Sequence, residues 1–267
     1  MAHHSLQRKH VVITGGSDGI GRALALEVAR RGARVTLAAR SADKLAAVAQ
    51  EIAAAGAEAL AVPTDVASEA SCRELVAQAV ARFGDVDVLV CNAGIGSAAQ
   101  GEEVVPVAAI RKTMEVNFMG AVHATAAALP SLRKTHGLIV GVSSWQGLFA
   151  FPNSAGYAAS KHAMQGFFDS LRLDLRDAVD VLVVSPGPVA TAIHFTDPAR
   201  ARNLTRTRIE KQCMPVAECA GLIRSAIEAR RRDLVMTRTG QLAAKLYPFF
   251  PDFVDEQIVR ASRRFYS

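Results

Sequence analysis

One short stretch near the N-terminus restricts the fold more than any other part of the chain. The β-branched run His10–Thr14 predicts a buried strand, and Gly15-Gly16-Ser17-Asp18-Gly19-Ile20-Gly21 follows it directly. An amphipathic segment over residues 22–31 then predicts a helix that stops at Gly32. This order of strand, glycine loop and helix lets the backbone approach a pyrophosphate at a helix N-terminus. The spacing Gly-x-x-x-Gly-x-Gly therefore predicts a dinucleotide-binding unit, although Gly-x-Gly-x-x-Gly is the commoner form.

The rest of the chain continues the alternation of strands and helices. Further strands are predicted at residues 34–39, 58–62, 86–91, 138–142, 181–184 and 233–237, and further helices at 43–55, 68–83, 108–116, 118–132, 156–178 and 218–231. Such alternation predicts βαβ units and a parallel sheet. We therefore expect an α/β fold: a single Rossmann-type doubly wound domain over residues 1–239, with about seven parallel strands flanked by helices. A helical extension is expected over residues 240–267.

The end of the second predicted strand bears on the choice of cofactor. An NAD-type site has an acidic residue here that holds the ribose 2′-hydroxyl, whereas this chain has Arg40 followed by Ser41. A guanidinium recognises phosphate oxygens in pairs and a serine hydroxyl adds a donor, so both residues suit a 2′-phosphate. The alternative is that Asp43 takes the acidic role and Arg40 is a surface side chain. The sequence favours NADP(H) over NAD(H).

A tyrosine and a lysine with helical spacing are the candidate proton-transfer groups. Tyr157 and Lys161 lie four residues apart in a predicted helix, which places them on one face. An ammonium beside a phenol favours the phenolate, so we expect the Tyr157 pKa to fall from about 10. Such a phenol can give a proton to a carbonyl oxygen or take one from an alcohol. The strand at 138–142 leads into Ser143 and Ser144, and the strand pattern does not distinguish the two serines.

Two asparagines stand at positions that call for an explanation. Asn117 separates two predicted helices, where an asparagine competes for backbone hydrogen bonds. It either kinks the helix, holds a water molecule or is a satisfied structural residue. Asn92-Ala93-Gly94 follows the strand at 86–91, at the edge where open α/β sheets bind ligands, or else forms a simple turn.

Composition excludes several classes of function. The net charge of +6 comes from basic residues with almost no aromatic neighbours, which indicates a solvated surface and no nucleic-acid binding. The cysteines and histidines show no metal-ligand spacing, so we expect free thiols, no metal site and a cytoplasmic protein. We expect neither a signal peptide nor a membrane span, because no apolar stretch has the required length.

Two segments towards the C-terminus leave alternatives open. Residues 191–215 contain charges and no clear strand, which fits either a substrate lid or an ordinary surface connection. The extension over residues 240–267 is expected to pack on its own domain, to extend a dimer interface, or to contact a membrane surface or a lipid substrate. Its apolar residues are Leu242, Leu246, Tyr247, Phe249, Phe250, Phe253, Ile258 and Val259.

Taken together, the motifs form an ordered set. They are the loop Thr14–Gly21, Asp65, Asn92-Ala93-Gly94, Asn117, Ser144, Tyr157-x-x-x-Lys161 and the run Pro186–Thr191. In order and spacing this set resembles the classical short-chain dehydrogenase/reductase family, over about residues 8–240. The spacing from Ser144 to Tyr157 matches the family and selects Ser144 over Ser143. Cys91 is a departure, since the family usually has Asn there, and Asp18 stands in the variable part of the glycine loop.

The resemblance implies a role for each matching residue. Tyr157 would be the general acid in reduction and the general base in oxidation, Lys161 would lower its pKa, and Ser144 would hold the substrate oxygen. Asn117 would anchor a water molecule in a proton relay. Asp65 would lie near the adenine and Asn92 near its ribose. The implied cofactor-binding residues are Gly15, Ser17, Asp18, Gly19, Ile20, Gly21, Arg40, Ser41, Asp65, Val66, Asn92, Ala93, Gly94, Tyr157, Lys161, Pro186, Gly187, Val189 and Thr191.

The resulting hypothesis is an oxidoreductase that transfers a hydride between NADP(H) and a carbonyl or secondary alcohol. The apolar extension is the one hint of a hydrophobic substrate, because similar tails occur in family members that act on steroids, sphingoid bases or other lipids. The resemblance also implies a homodimer or homotetramer. The alternative hypothesis is a non-catalytic regulatory or scaffold protein that binds the cofactor. The intact set of Asn117, Ser144, Tyr157 and Lys161 argues for the enzyme.

Overall fold

Seven parallel strands form one sheet in the order β3-β2-β1-β4-β5-β6-β7. The structure is a computed structural model, and it describes residues 4–96, 105–195, 209 and 211–266. The strands are β1 (His10–Thr14), β2 (Arg34–Ala39), β3 (Ala59–Pro63), β4 (Val88–Cys91), β5 (Leu138–Val142), β6 (Asp180–Ser185) and β7 (Asp233–Val235). The strand order reverses between β1 and β4, so the loops after these two strands open a crevice at the carboxyl edge of the sheet.

Helices cover both faces of the sheet. One apolar cluster joins α1 (Gly19–Ala29), α2 (Ala42–Ala54) and α7 (Val216–Glu228) to the first face. A second cluster joins α3 (Glu69–Phe83), α5 (Gly120–Thr135) and α6 (Ala155–Leu175) to the other. Because both faces are covered, the strands are apolar along their length, and β1 and β5 are buried at every residue. The predicted doubly wound parallel fold is confirmed.

Most element boundaries agree with the sequence prediction to within a few residues. β1, β2 and β5 have the predicted bounds, and Ser68 caps α3 as expected, accepting a hydrogen bond from the Ser71 backbone N–H. Helix α1 begins earlier than predicted. The Asp18 side chain caps it by accepting from the Gly19 N–H at 2.7 Å, so the helix N-terminus lies inside the glycine loop.

A π-helical turn lies where the sequence places Asn117 between two helices. Helix α4 (Val107–Met114) runs into the π-turn Glu115–Met119, which continues as α5. A π-turn inserts one extra residue into a helix and is common at functional sites. Of the alternatives that the sequence left open for Asn117, a disturbed helix is present, as a widened turn around the buried asparagine.

The C-terminal extension consists of two helices, α8 (Arg238–Leu246) and α9 (Pro251–Tyr266). Val254 and Ile258 are buried against Phe149, so part of the extension packs on its own domain. A second part faces outward: Leu242, Phe249, Phe250 and Phe253 are 56–76% exposed. None of the helices among the described residues has an apolar stretch long enough to cross a bilayer.

Candidate active site

The glycine loop after β1 has the shape that a pyrophosphate requires. Gly15 has a φ of +68°, which glycine adopts without strain. A Cβ at Gly15 would lie 2.8 Å from the Asn92 Nδ2, and a Cβ at Gly21 would overlap the Gly15 carbonyl oxygen. The first turn of α1 therefore packs directly on the loop, with backbone N–H groups at a helix N-terminus. The residues present fit a dinucleotide.

The loop after β4 is fastened to the glycine loop through Thr14. The Thr14 Oγ1 accepts hydrogen bonds from the backbone N–H groups of Asn92 at 3.0 Å and Ala93 at 3.1 Å, and donates to the Val90 carbonyl. The Asn92 Nδ2 donates to the carbonyls of Thr14 and Gly15 at 2.9 and 3.2 Å. The Asn92 side chain therefore shapes the glycine loop, whereas the resemblance implies that it lies near the adenosine ribose.

The end of β2 places Arg40 and Ser41 at the surface. Both side chains are exposed, and among the described residues Arg40 makes no ion pair. Asp43 is also exposed, one residue into α2. Asp18 lies nearby with 62% of its side chain exposed, and its Oδ2 is 3.8 Å from the Lys44 Nζ. The guanidinium is thus free to bind an anion, and Lys44 offsets the one carboxylate in the glycine loop.

Asp65 and Val66 form the turn after β3. The Asp65 Oδ1 accepts from the Ala67 N–H at 3.1 Å, which holds the turn and leaves the exposed carboxylate with acceptor capacity. Val66 is buried and touches the place where a Gly120 side chain would lie. Val66 therefore stabilises the turn by packing against the first residue of α5.

The two serines after β5 have different surroundings. Ser143 is buried, and its Oγ donates to the Lys161 carbonyl at 3.2 Å. Ser144 caps the short 3₁₀ turn Trp145–Gly147 by accepting from the Gln146 N–H at 3.2 Å. Its hydroxyl also lies close enough to the Tyr157 phenol to lower the pKa of that phenol. The structure thus brings Ser144 to the phenol, whereas Ser143 ties the loop to α6.

Lys161 is buried beside the tyrosine and directed into the sheet. Its Nζ donates to the Val142 carbonyl at 2.8 Å, lies 3.5 Å from the Met164 Sδ and is 5.6 Å from the Tyr157 ring centroid. Burial lowers the pKa of this ammonium to about 8. A Cβ at Gly94 would be 3.7 Å from the Nζ, so the lysine also reaches the loop after β4.

The expected fall in the Tyr157 pKa is wrong for this arrangement. Burial is the largest effect and raises the pKa of the phenol to about 12, against a smaller lowering by the Ser144 hydroxyl. Lys161 exerts no such lowering, because its Nζ bonds the Val142 carbonyl instead of the phenol oxygen. At neutral pH the tyrosine therefore carries its proton.

Asn117 is fully buried and all of its amide groups are occupied. Its Oδ1 accepts from the Ile95 N–H at 2.8 Å, and its Nδ2 donates to the Ile95 carbonyl and to the Ser160 Oγ, both at 3.0 Å. The Ser160 hydroxyl in turn donates to the Tyr157 carbonyl at 2.7 Å. The side chain therefore joins the loop after β4 to helix α6.

The loop after β6 closes the crevice from the other side. The backbone N–H of Trp145 donates to the Pro186 carbonyl at 2.9 Å, and a Cβ at Gly187 would be 2.7 Å from the Trp145 ring. Val189 is buried and forms a parallel bridge with Met214. The Thr191 methyl lies 3.3 Å from the place where a Gly19 side chain would be. The predicted run Pro186–Thr191 thus reaches from the loop after β5, which carries Ser143 and Ser144 and is called the serine loop below, to the glycine loop.

The predicted lid is only partly described. Residues 191–195 include a short 3₁₀ turn, Ala192–Phe195, and Ile209 and Cys213 are buried next to Ala190. Residues 196–208 and 210 lie outside the described residues. The two ends of the segment meet at the Val189–Met214 bridge, and the lid itself stays a prediction.

Sequence reasoning assigned no role to three side chains that hold the site together. Thr14 joins two loops, Ser160 joins Asn117 to helix α6, and Trp145 contacts both sides of the crevice. Ser160 had a detectable signal, because it lies inside the Tyr157–Lys161 interval on a helix facing the sheet. No periodicity points to the other two, which act through contacts far apart in the sequence.

Known proteins share this combination of fold and motifs. A sequence profile described as "short chain dehydrogenase" matches residues 9–200. The chain belongs to the short-chain dehydrogenase/reductase family. An Arabidopsis thaliana relative named "11-beta-hydroxysteroid dehydrogenase-like 4A" is 43% identical over 180 residues, which is 67% of this chain and 60% of that protein. The chain thus spans less than two thirds of the length of that relative.

Other relatives cover this short-chain dehydrogenase/reductase more fully. The "Dehydrogenase/reductase SDR family protein 7-like" of Dictyostelium discoideum is 30% identical over 94% of this chain and 81% of that protein. A solved alcohol dehydrogenase from Thermococcus sibiricus, complexed with 5-hydroxy-NADP, has a TM-score of 0.77 and 31% identity over 85% of this chain and 95% of its own. A Burkholderia phymatum family member in complex with NAD has a TM-score of 0.82 and 27% identity, covering 93% and 96%.

Proposed function

We propose that the protein is an NADP(H)-dependent oxidoreductase that interconverts a carbonyl compound and the corresponding secondary alcohol. The observation that carries the proposal is the Ser144 hydroxyl next to the Tyr157 phenol, with Lys161 buried beside the tyrosine ring. NADP(H), when bound, supplies or accepts the hydride. The names of the relatives, which are dehydrogenases and reductases, support the same class of reaction.

In this proposal the protein's own groups handle the proton. The Tyr157 phenol, protonated at neutral pH, donates to the carbonyl oxygen as negative charge develops there, and the Ser144 hydroxyl holds the same oxygen. This proposal needs no carboxylic acid or imidazole, because the phenol itself donates the proton.

Replacement of the proton donor tests the reaction. Tyr157→Phe removes the hydroxyl and leaves the ring packing, so we expect turnover to fall by at least about a hundredfold, the lower range for a general acid. NADPH binding should be retained, since the glycine loop is untouched. Tyr266→Phe is the matched control, because it makes the same chemical change at the last residue of α9. Full turnover in Tyr157→Phe would refute the assignment, and cofactor binding without any turnover in the wild type would favour a scaffold.

The preference for NADP(H) rests on Arg40, whose guanidinium is exposed and unpaired among the described residues. Arg40→Asp replaces a phosphate partner by a carboxylate that suits a ribose hydroxyl. We expect its Kd for NADPH to rise at least about tenfold relative to that for NADH, equivalent to the loss of one charge-assisted hydrogen bond. Arg111→Asp, an exposed arginine on α4, controls for the change in net charge. Equal loss of both cofactors, or none, would count against Arg40.

A hydrophobic substrate is supported by the aromatic residues next to Ser144. Phe149 lies with its ring centroid 6.0 Å from Trp145, 5.8 Å from Phe151 and 6.0 Å from Tyr247. Trp145 follows Ser144 directly, so this apolar cluster adjoins the residue proposed to hold the substrate oxygen and favours an apolar substrate body. A series of methyl ketones of increasing chain length tests this: we expect kcat/KM to rise with length, and a flat series would contradict it.

The outward face of the extension keeps two of the alternatives open. Burial of Val254 and Ile258 accounts for packing on the domain, while the exposed Phe249, Phe250 and Phe253 are compatible with a subunit contact or a lipid surface. A homodimer or homotetramer, a peripheral lipid contact and the lid over residues 191–215 stay predictions. Light scattering and vesicle sedimentation of the purified protein test the first two.

A further inference from the structure

Trp145 is the chain's single tryptophan, and it contacts three separate parts of the active site. It follows Ser144 directly. Its backbone N–H donates to the Pro186 carbonyl at 2.9 Å, and its ring lies against Gly187, where a Cβ would be 2.7 Å away. The serine loop and the loop after β6 are therefore spaced by one indole ring.

The other side of the same ring rests on the C-terminal extension. The Trp145 Nε1 donates to the Met236 carbonyl at 3.1 Å, at the entrance to α8. A Cβ at Gly240, in the first turn of α8, would overlap the indole. The Thr237 side chain caps α8 by accepting from the Gly240 N–H at 3.1 Å, which fixes Gly240 beneath the ring. The ring is thus held between the loop after β6 and the extension.

We propose that Trp145 is a positioning residue, which sets the distance between Ser144 and the Gly187 loop and is held in place by helix α8. The role of Ser144 in this inference rests on the proposed function. The C-terminal extension then helps to fix the geometry of the active site, because a shift of α8 displaces the indole ring, and the displaced ring shifts the serine loop and the loop after β6.

Gly240→Ala tests the inference from the distant side of the ring. Alanine is a better helix former than glycine, so α8 is not weakened, but its methyl group must displace the indole. We expect kcat to fall on the order of ten- to a hundredfold, since small misplacements of reacting groups cost that much. Gly221→Ala is the matched control, because a Cβ there, on α7, meets no heavy atom of the described chain within 4 Å. Its kcat should equal that of the wild type.

A second substitution separates positioning from general damage. Trp145→Phe shortens the ring and makes room for the methyl group that Gly240→Ala introduces. The double variant Trp145→Phe/Gly240→Ala should therefore lose less activity than the product of the two single losses. Residues in contact show such coupling, and independent ones do not. Multiplicative losses, or a Gly240→Ala enzyme with wild-type kcat, would overturn the proposal.

Fluorescence tests the inference even if no carbonyl compound is turned over. All tryptophan emission comes from Trp145, so Gly240→Ala should shift the emission maximum of the free protein and Gly221→Ala should not. NADPH should quench the wild-type emission by energy transfer to the nicotinamide. An unchanged maximum in Gly240→Ala would overturn the positioning role. Absence of turnover together with the expected shift would reject the proposed reaction alone.

Discussion

Lys161→Met should separate the stability of the protein from its activity. Lys161 is 3% exposed, and its pKa falls from an ordinary value of 10.5 to about 8. One pKa unit corresponds to about 1.4 kcal/mol, so keeping this ammonium charged at pH 7 costs the folded state about 3 kcal/mol. Methionine is also unbranched and fills a similar volume without the charge. The substitution removes that cost, and it removes the lysine from the active site.

The expected gain is smaller than the full cost, because one hydrogen bond is lost. Without the Nζ the Val142 carbonyl loses a donor at 2.8 Å, which costs about 1–3 kcal/mol. The variant should therefore be between equal and about 2 kcal/mol more stable than the wild type at pH 7. For a chain of this size that corresponds to a Tm rise of up to about 8 °C. Turnover should be lost at the same time.

The pH dependence gives the sign of the effect. Between pH 8 and 10.5 the unfolded chain keeps the lysine proton that the folded chain has released, so wild-type stability rises with pH in this interval. The difference in Tm between Lys161→Met and the wild type should therefore be largest below pH 8 and decline as the pH approaches 10. Thermal unfolding of both proteins without cofactor at pH 7, 8, 9 and 10 measures it.

Lys112→Met is the matched control, because Lys112 is exposed on α4 and the same substitution there removes no buried charge. Its Tm should differ from the wild type by a constant amount over this pH range. A Lys161→Met protein that is several degrees less stable than the wild type at every pH would refute the reasoning. It would mean that the contacts of the lysine outweigh the cost of burying its charge.

Three other substitutions probe the glycine loop, the buried Asn117 amide and a buried histidine. The methyl group of Gly21→Ala would overlap the glycine loop, so this variant should bind NADPH at least about tenfold more weakly, since about 1.4 kcal/mol of strain corresponds to a factor of ten. Gly166→Ala, at an open helix position, is the control and should bind NADPH as the wild type does. Equal affinities of the two variants in a titration would contradict the prediction. Ser160→Ala leaves the buried Asn117 amide without one hydrogen-bond partner, so it should lower the free energy of unfolding by about 1–3 kcal/mol and reduce kcat. An unchanged urea unfolding curve would count against this prediction. Burial lowers the pKa of His10, so as the pH falls below 6.5 the unfolded state binds the proton before the folded state does, and stability should decline. The Tm should therefore fall more between pH 7 and pH 5 in the wild type than in His10→Gln.

The fold was predictable because its signals are local. β1, β2 and β5 are apolar runs bounded by loop residues, and burial on both faces requires that composition. The start of α1 was misplaced because Asp18 was assigned to a variable part of the loop, whereas its side chain caps the helix. Capping is a local signal as well, and an aspartate before Gly-Ile-Gly was sufficient to find it.

The candidate site was predictable in its membership but not in its hydrogen bonding. The spacing of Tyr157 and Lys161 places both on one helix face, yet the lysine bonds the Val142 carbonyl, which lies 19 residues earlier on another element. The direction of the Tyr157 pKa depends on that choice and on burial, and neither is visible in a local pattern. The same limit explains why Asn92 was assigned to a ribose when its amide shapes the glycine loop.

The Thr14 hydroxyl makes the two loops around the crevice a single mechanical unit. It binds two N–H groups of the loop after β4 while the backbone of Thr14 leads into the glycine loop, so neither loop can open without breaking the other's contacts. A dinucleotide therefore meets a surface that is already ordered, and its binding energy is not spent on freezing the chain. The Asn92 and Ala93 amides should exchange slowly with deuterium before any cofactor arrives.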